Sequence, residues 1–347
     1  MRSGRMLSRG GKGCMSTKPG TVKTKRSETA DATRRRASET LRLRAAKAMR
    51  EAHYAKAEDL YLRSVRALNG CVADPLYVRV FSGLGNLYRF LGRYDEAEAT
   101  LRKALSAAVE VFGDQAFGTC AVRNDLAVLF KYTGRFDEAA ALYRQVLKVL
   151  IASRGRTHPE VATIYHNLGG LDHARGAYAR GERYARKAVE IRTRTLGCRH
   201  PEVAADGVAL GAILVERRKY GEAERIYKQA LGIFRRSPEH YDIAVTLNNL
   251  AALHYARGEL AAAERFYKRA LTIKEKLFGR DHLDVALTLN NLAVLYKARG
   301  GRNAAARLYR KALAIFRATL PPHHPKLTTC RNNLANLLRG HTSGAAG

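Results

Sequence analysis

Residues 288–296 read Thr288-Leu289-Asn290-Asn291-Leu292-Ala293-Val294-Leu295-Tyr296, and Thr246-Leu247-Asn248-Asn249-Leu250-Ala251 stands 42 residues earlier. In both stretches the apolar residues recur at spacings of three and four, and the same spacing returns at Leu308, Ala312 and Ile315. This spacing is the period of an amphipathic helix. The sequence therefore predicts two helices in each repeated unit.

A turn separates the two helices of each unit. It is marked by a series spaced 40 or 42 residues apart: Ala52, Gly92, Gly134, Gly176, Arg218, Gly258 and Gly300. Glycine adopts the left-handed conformation that ends a helix without steric cost. A single helical hairpin cannot bury its apolar stripe alone, so neighbouring hairpins must stack. We therefore predict an all-α fold, a right-handed α-solenoid of about seven hairpins of 40–42 residues plus a C-terminal capping helix.

Composition divides the chain into three regions. The 62 Lys and Arg outnumber the 31 Asp and Glu, which gives a formal charge of +31, and 46% of the residues are apolar. This apolar share excludes disorder of the whole chain. Residues 1–40 are rich in Lys and Arg and poor in apolar residues, and they are predicted to be a basic disordered tail or, alternatively, a transit peptide. The solenoid is predicted over residues 41–340, and residues 341–347 are predicted to be a disordered C-terminus.

The cysteines and the hydropathy bear on the compartment. Five widely separated cysteines with no paired spacing fit a reducing environment. The longest uncharged apolar run, Gly207 to Val215, has nine residues, whereas a membrane-spanning helix needs about 20. We predict no membrane span and a cytoplasmic protein, with a chloroplast or mitochondrion as the alternative if the tail is a transit peptide.

The repeats resemble a known family. Leu84-Gly85-Asn86-Leu87-Tyr88, followed by Ala97 and Leu101, is similar to the tetratricopeptide (TPR) repeat pattern. The longer period, the Thr246 and Thr288 stretches and Leu196-Gly197-Cys198-Arg199-His200-Pro201-Glu202-Val203-Ala204 resemble the TPR array of kinesin light chains and nephrocystin-like proteins, over roughly residues 41–340. The resemblance implies the fold with high specificity. It specifies function weakly, because many scaffolds share this repeat.

Histidines recur at one position of successive units, namely His158, His200, His240, His282 and His324. A metal array is one interpretation, but packed helices lie roughly 10 Å apart, whereas zinc ligands converge within about 2.1 Å of one ion. Proline, which is favoured at the first position of a helix, follows three of the five. We predict that these histidines cap or order the loop between units, and we expect neither a metal nor another cofactor.

Polar residues form rows along the array, at equivalent positions of the first helix of each unit. Asparagine disfavours helix interiors, so a run of asparagines at mid-helix needs a reason. The amide rows comprise Asn124, Asn167, Asn248, Asn249, Asn290, Asn291, Asn332 and Asn333. Two helical turns further on, a largely basic row comprises Arg89, Lys131, His173, Lys297 and Arg339. Amides suit the main chain of an extended peptide and cations suit its acidic side chains, and the resemblance implies that the matching asparagines contact cargo peptides.

These rows predict a non-enzymatic scaffold or adaptor that holds an acidic, partly extended peptide segment in a concave groove. One alternative is an RNA-binding organellar TPR factor, because a basic surface attracts phosphates. Another is a motor cargo adaptor similar to kinesin light chains. Kinesin light chains resemble each other in carrying a long heptad segment before the repeats, whereas the repeats of this sequence are preceded by a basic tail. A structural alternative for the amides is a hydrogen-bonded ladder between repeats. Self-association stays open at this point.

Overall fold

The computed structural model describes residues 25–51, 53–68, 74–235, 240–320, 322 and 324–339. Within these ranges the chain forms fifteen α-helices and no strand. The helices are α1 (Lys25–Arg50), α2 (Tyr54–Leu68), α3 (Pro75–Leu91), α4 (Tyr94–Phe112), α5 (Phe117–Tyr132), α6 (Phe136–Arg154), α7 (Pro159–Ala174), α8 (Tyr178–Leu196), α9 (Pro201–Glu216), α10 (Tyr220–Phe234), α11 (His240–Ala256), α12 (Leu260–Phe278), α13 (Leu283–Ala298), α14 (Arg302–Thr319) and α15 (Pro325–Arg339).

The helices pack as seven antiparallel hairpins, from α1 with α2 to α13 with α14, and α15 covers the last hairpin. The predicted all-α solenoid is confirmed. Consecutive odd-numbered helices also contact one another at most steps, whereas even-numbered helices contact mainly the odd-numbered ones. Helices on the inner side of a curved array lie closer together, so the odd-numbered helices line the concave side. We call this surface the inner face.

Six of the seven predicted turns have the expected backbone, and the seventh, at Ala52, lies outside the described residues. Gly92, Gly134, Gly176, Gly258 and Gly300 have φ values between 77° and 79°. At Arg218 the same turn is made without glycine, with φ 58°, and among the described residues it is the one non-glycine with positive φ. The turn geometry is therefore retained even where a side chain makes the left-handed conformation costly.

Small residues on the first helix of a hairpin admit large residues from the second. A Cβ atom on Gly85 would lie 2.7 Å from Cγ of Leu101, and one on Gly211 would lie 2.5 Å from Cε1 of Tyr227. Both large side chains are fully buried. The close contact of the two helices thus depends on the missing side chain.

The histidines cap helices, as predicted. The Nδ1 atoms of His158, His200, His282 and His324 accept hydrogen bonds at 3.1–3.3 Å from the backbone N–H two residues later. Each bond satisfies one of the N–H groups that a helix N-terminus leaves without a partner. The side chain of His240 lies outside the described part of the chain.

The first helix begins earlier than the composition predicts. Residues 25–40, assigned above to a disordered tail, belong to α1. Ser38 is fully buried and its hydroxyl donates to the Ser64 carbonyl at 2.9 Å, while Arg35 forms an ion pair with Asp74. Contacts with the next helices therefore order a segment whose own composition is too polar to fold alone. Residues 1–24 and 340–347 lie outside the described ranges, so the predictions for them stay predictions.

Ion pairs connect neighbouring hairpins along the turns. Arg135 donates to Glu98 of the preceding hairpin at 2.6 Å and to Glu138 of its own at 2.6 Å. Arg93 forms the equivalent pair with Glu58 at 2.8 Å. Further pairs in the same series are Arg175–Asp137, Arg217–Glu182, Arg257–Glu224 and Arg299–Glu264. The more exposed members of such a series typically contribute 0.2–1 kcal/mol each.

The two ends of the array meet. Phe90, at the end of α3, packs against the apolar cluster formed by α13, α14 and α15. Tyr54 contacts His282, and Gly92 and Tyr94 contact His324. We call this contact the seam, formed by Tyr54, Phe90, Gly92, Tyr94, His282 and His324. The superhelix therefore closes on itself within one turn. Across the described helices, none combines the length and the hydropathy needed to cross a membrane.

Candidate functional site

The inner face carries the predicted amide rows. The Nδ2 atom of Asn167 on α7 donates to Oδ1 of Asn124 on α5 at 2.7 Å, and Asn291 on α13 donates to Asn248 on α11 at 3.3 Å. The amides therefore do bond between repeats, as the structural alternative expects. A carboxamide offers two donor hydrogens and an acceptor with two lone pairs, so each bond uses only part of this capacity.

One amide on this surface is left with an unused acceptor. The Oδ1 atom of Asn290 on α13 is buried and accepts no hydrogen bond within the described ranges. A buried carbonyl oxygen without a donor costs about 1–3 kcal/mol. A ligand N–H that reached it would remove this penalty.

Helix α9 interrupts the amide rows. Its residues at the two amide positions are Val208 and Ala209. The neighbouring His166 on α7 instead places Nδ1 at 2.7 Å from Oδ1 of Asp206, and Arg192 donates to the same oxygen at 3.1 Å. The inner face thus consists of two amide-bearing segments, α5–α7 and α11–α15, separated by an apolar helix.

Cations cluster in the first segment. The Arg89 guanidinium lies 5.3 Å and the Lys131 ammonium 5.2 Å from the centroid of the Tyr132 ring. Both distances are within the range of a cation–π interaction. Tyr132 is 49% exposed, so the cluster is accessible from solvent. The arrangement places two positive charges and an aromatic ring two helical turns from Asn124 of α5.

Protonation equilibria in this segment reflect burial and crowding of like charges. Burial, with a further contribution from the Arg89 guanidinium, lowers the pKa of Lys131. Burial also lowers the pKa of His173, a shift that Glu216 opposes and Lys131 reinforces. Burial raises the pKa of Asp125 to about 6, although a hydrogen bond from Asn86 and the charge of Arg89 act against the shift. An anion bound here would stabilise the charged forms of the lysine and the histidine.

A cavity of about 180 Å³ opens beside Asn124, between α5, α6 and α7. Its walls are largely apolar and include Phe117, Val146, Leu150 and Ile164. The polar groups that line it come from Asn124, Glu160 and Thr163. This volume is suited to one aliphatic side chain. A segment bound along the amides of α5 and α7 could place such a side chain in the cavity.

The predicted site residues divide by position. Arg89, Lys131, His173, Asn124 and Asn167 lie half-buried on α3, α5 and α7. In the second segment the half-buried residues are Asn248, Asn249, Asn290, Asn291 and Asn333, and the exposed residues are Asn332, Lys297 and Arg339. Hydrogen bonds join Asn124 to Asn167 and Asn248 to Asn291, whereas Arg339 bonds to Asn336 of its own helix.

Three features of the inner face are not predicted by the sequence pattern. Tyr132 follows a row residue but is not in the row pattern, and Asp206 lies two positions before the register position occupied by the amides. Lys326 on α15 comes close to Arg89 only because the ends of the array meet, and the Arg89 charge adds to the burial that lowers the pKa of Lys326. Register within one unit does not predict a contact made between the two ends.

Among the described residues, no group of three or more His, Cys, Asp or Glu side chains is placed to hold a metal ion. The cysteines in this part of the chain, Cys120, Cys198 and Cys330, are free thiols.

The fold and the inner face together define the class of protein: it is an α-solenoid of helical hairpins whose inner face is polar and basic. Models of the tetratricopeptide repeat match residues 77–152, 160–236 and 242–318, and a second such model matches residues 124–194. Because the matched segments cover well over half of the chain, the protein belongs to the tetratricopeptide repeat family. Proteins of this family are generally non-enzymatic scaffolds for protein–protein interaction.

Similar solved structures include BtubC (BKLC) from P. vanneervenii, which is 26% identical with a TM-score of 0.50 over 73% of this chain and 92% of that one. A Rap protein complexed with competence and sporulation factor is 14% identical with a TM-score of 0.63, over 87% of this chain and 76% of that one. A putative kinesin light chain repeat protein from Podosopora anserina is 20% identical with a TM-score of 0.47, over 58% and 97%. No curated protein sequence matches the chain.

Proposed function

We propose that the inner face binds an acidic, partly extended segment of another protein and that the chain acts as a scaffold or adaptor. The observation that carries this proposal is the cluster of Arg89 and Lys131 around Tyr132, two helical turns along α5 from the bonded amides of Asn124 and Asn167. Cations at this place suit carboxylates, and amides suit a peptide main chain. The Rap protein of similar fold was solved in complex with its factor, which is compatible with a ligand-binding role.

We infer three contacts between the ligand and the inner face. Its main chain runs along the amide groups of Asn124 and Asn167 that their mutual bond leaves unused. An acidic side chain lies between Arg89 and Lys131. An aliphatic side chain enters the cavity beside Asn124. A segment that combines acidic and aliphatic residues therefore fits better than a uniformly acidic one.

The test compares two fluorescein-labelled probes by polarisation, a peptide of mixed Glu and Leu residues and a poly-uridine RNA. We expect Arg89→Glu with Lys131→Glu to abolish most peptide binding, and Asn124→Ala with Asn167→Ala to weaken it by about 0.5–1.5 kcal/mol for each lost hydrogen bond. Lys103→Glu with Lys228→Glu makes the same change of charge on α4 and α10, outside the groove. This control should retain peptide binding.

The RNA probe covers the alternative that the basic composition suggests. The affinity for RNA would fall steeply as salt rises, would fall when residues 1–24 are deleted and would respond equally to both pairs of charge reversals. Such a result would replace the proposed function by RNA binding. Peptide binding that is unchanged in both groove variants would contradict the proposal.

A further inference from the structure

The seam joins residues that are far apart in the sequence. The hydroxyl of Tyr54, at the start of α2, lies 3.1 Å from Nε2 of His282, which precedes α13. The Tyr54 ring also lies 4.9 Å from the Phe90 ring, centroid to centroid. Phe90 in turn packs on the apolar cluster of α13–α15. One aromatic pair from the first two hairpins therefore docks on the last hairpin.

A second contact lies beside the first. The rings of Tyr94 and His324 have their centroids 6.2 Å apart. A Cβ atom on Gly92 would lie 2.0 Å from Cδ2 of His324. Gly92 is thus required twice, by its φ of 77° and by the close approach of the imidazole ring.

The other capping histidines provide an internal comparison. His158 and His200 make the same Nδ1 bond to the helix backbone, yet both are partly exposed, whereas His282 is 8% and His324 5% exposed. Burial of the last two is therefore a consequence of the seam and not of capping. Because Nδ1 accepts the cap bond, Nε2 carries the proton in the neutral ring, and His282 donates it to the Tyr54 oxygen.

We propose that the seam is a clasp that closes the superhelix around the groove, and that protonation of His282 and His324 opens it to admit the bound segment. The proposal rests on the proposed function, because it concerns access to the same groove. A closed turn surrounds the inner face, so a segment of a folded partner enters more easily when the ends separate.

The charges around His282 act in both directions. Burial lowers the pKa of His282, Asp284 on the same helix opposes the shift, and Lys274 on α12 reinforces it. Tyr54 from α2 and the Phe278 ring, 4.3 Å away between centroids, supply uncharged surroundings. Tyr241 from α11 donates to Asp284 at 3.3 Å and so shares that carboxylate. The closed seam therefore favours the neutral imidazole.

At His324 burial again dominates. Burial, reinforced by the charge of Lys326 on α15, lowers the pKa of His324 to about 4. The groups facing it from the first hairpins are Tyr94 and the backbone of Gly92, and neither supplies a negative charge. A proton on Nδ1 would also abolish its cap bond to the N–H of Lys326. The cap bond resists protonation in both states, whereas the resistance due to burial is lost once the seam opens.

Closure also couples to the ligand. Closure brings Lys326 towards Arg89. Burial lowers the pKa of Lys326, the Asp284 carboxylate opposes this shift, and the Arg89 charge reinforces it. Like charges from the two ends thus oppose closure. An acidic group of the ligand bound near Arg89 would remove this repulsion, so the bound segment should hold the clasp shut.

The direct test measures the distance across the seam in the full-length protein. Ala55 on α2 and Ala318 on α14 are exposed and line one cleft of about 700 Å³ between the two ends. Nitroxide labels are attached at Ala55→Cys and Ala318→Cys after Cys14, Cys71 and Cys198 are replaced by Ser. We expect one short distance at about pH 7.5 and a growing population of longer distances towards about pH 5.

Matched substitutions separate the clasp from capping. His282→Arg with His324→Arg places permanent charges in the seam and should give the long distance already at neutral pH. His158→Arg with His200→Arg removes the same cap bonds elsewhere and should leave the distance short. Phe90→Glu should also open the seam without unfolding the hairpin, because Glu216 occupies the equivalent position of α9. Circular dichroism of each variant serves as the check that it is folded.

Peptide kinetics connect the clasp to the groove. If the open state is the minor one, opening should raise the association rate of the labelled Glu and Leu peptide by about tenfold or more. A short distance that persists at acidic pH and in the histidine and Phe90 variants overturns the clasp. Distances that respond as expected while no peptide binds would retain the clasp and reject the proposed function.

Discussion

The middle of the array and its seam are built from the same repeat but are held by different chemistry. In the middle, the buried Asp206 carboxylate pairs with His166 at 2.7 Å and with Arg192 at 3.1 Å. At the seam, neutral histidines meet tyrosines and a phenylalanine. The comparison shows that the repeat register determines where a side chain lies in the array. The residues around it determine whether ion pairs or apolar contacts stabilise that position.

The second ionic centre of the middle makes the contrast sharper. Burial alone would raise the pKa of Glu182, but hydrogen bonds from Lys219, Arg186 and Arg217 lower it to about 2. Glu182 therefore stays charged in solutions that are acidic enough to protonate most carboxylates. The middle should resist acid to a lower pH than the seam does.

The largest effect is expected from Asp206→Ala. This substitution leaves Arg192, whose side chain is 11% exposed, without its most buried carboxylate. Removing one partner of a buried pair costs about 3–5 kcal/mol because the remaining charge is uncompensated. The free energy of unfolding in urea measures this loss. Asp137→Ala is the control, because Asp137 is 95% exposed and pairs with Arg175 only at the surface, where a pair typically contributes 0.2–1 kcal/mol. Equal losses in the two variants would contradict the ionic description of the middle.

Acid should separate the two regions next. The fold lowers the pKa of His324 from 6.5 to about 4. The stability that the neutral imidazole contributes to the folded state is therefore complete above about pH 6.5 and is lost as the pH falls towards 4. Each unit of such a shift corresponds to about 1.4 kcal/mol. The stability that ionised Glu182 contributes to the folded state is complete above pH 4.5 and is lost only as the pH falls towards 2. Hydrogen exchange of α13 and α15 should therefore accelerate at a higher pH than exchange of α8 and α9. A single window for all four helices would refute this order.

Sequence and structure agree most closely where the fold depends on local rules. The turns at Gly92 and Gly300, and the small residue at Gly85 opposite Leu101, are set by backbone conformation and by volume, and both can be read from spacing. The histidine caps at His158 and His200 are equally local. Such features need only the helix period and the preferences of individual residues.

Other features depend on contacts that no spacing encodes. The start of α1 at Lys25 depends on burial of Ser38 against Ser64, and the seam depends on how far each hairpin rotates relative to the last. A small rotation per repeat accumulates along the solenoid, so whether Tyr54 reaches His282 is a property of the whole array. On the inner face, the spacing places Asn124 and Asn167 at adjacent row positions but does not indicate that they bond to each other, or that Asp206 bonds to His166 at α9.

A moderate effect is expected where a hairpin of the middle is tightest. An added Cβ atom at Gly211 would lie 2.5 Å from the Tyr227 ring, so Gly211→Ala should destabilise the protein by about 1–3 kcal/mol through overpacking. Gly221→Ala is the matched control, because the same atom there meets nothing within 4 Å. In α10 that substitution should stabilise the helix by roughly 0.5–1 kcal/mol. Thermal unfolding of both variants measures the difference, and a neutral Gly211→Ala would show that the helices can separate at no cost.

The smallest effect concerns the uncharged amide bond between Asn248 and Asn291, which joins α11 to α13 between the middle and the seam. A double-mutant cycle with Asn248→Ala and Asn291→Ala should give a coupling of about 0.5–1.5 kcal/mol in unfolding free energy, because each single variant already removes the bond. Neither amide titrates, so the coupling should be the same at about pH 7 and about pH 5, although the seam weakens over this range. The pair Asn124 and Asn167, with its shorter bond of 2.7 Å, should couple at least as strongly. A coupling near zero in both pairs would mean that the amides contribute nothing as a ladder. Their full hydrogen-bonding capacity would then be available to a ligand, and the loss of peptide affinity in the asparagine variants could be assigned to direct contacts.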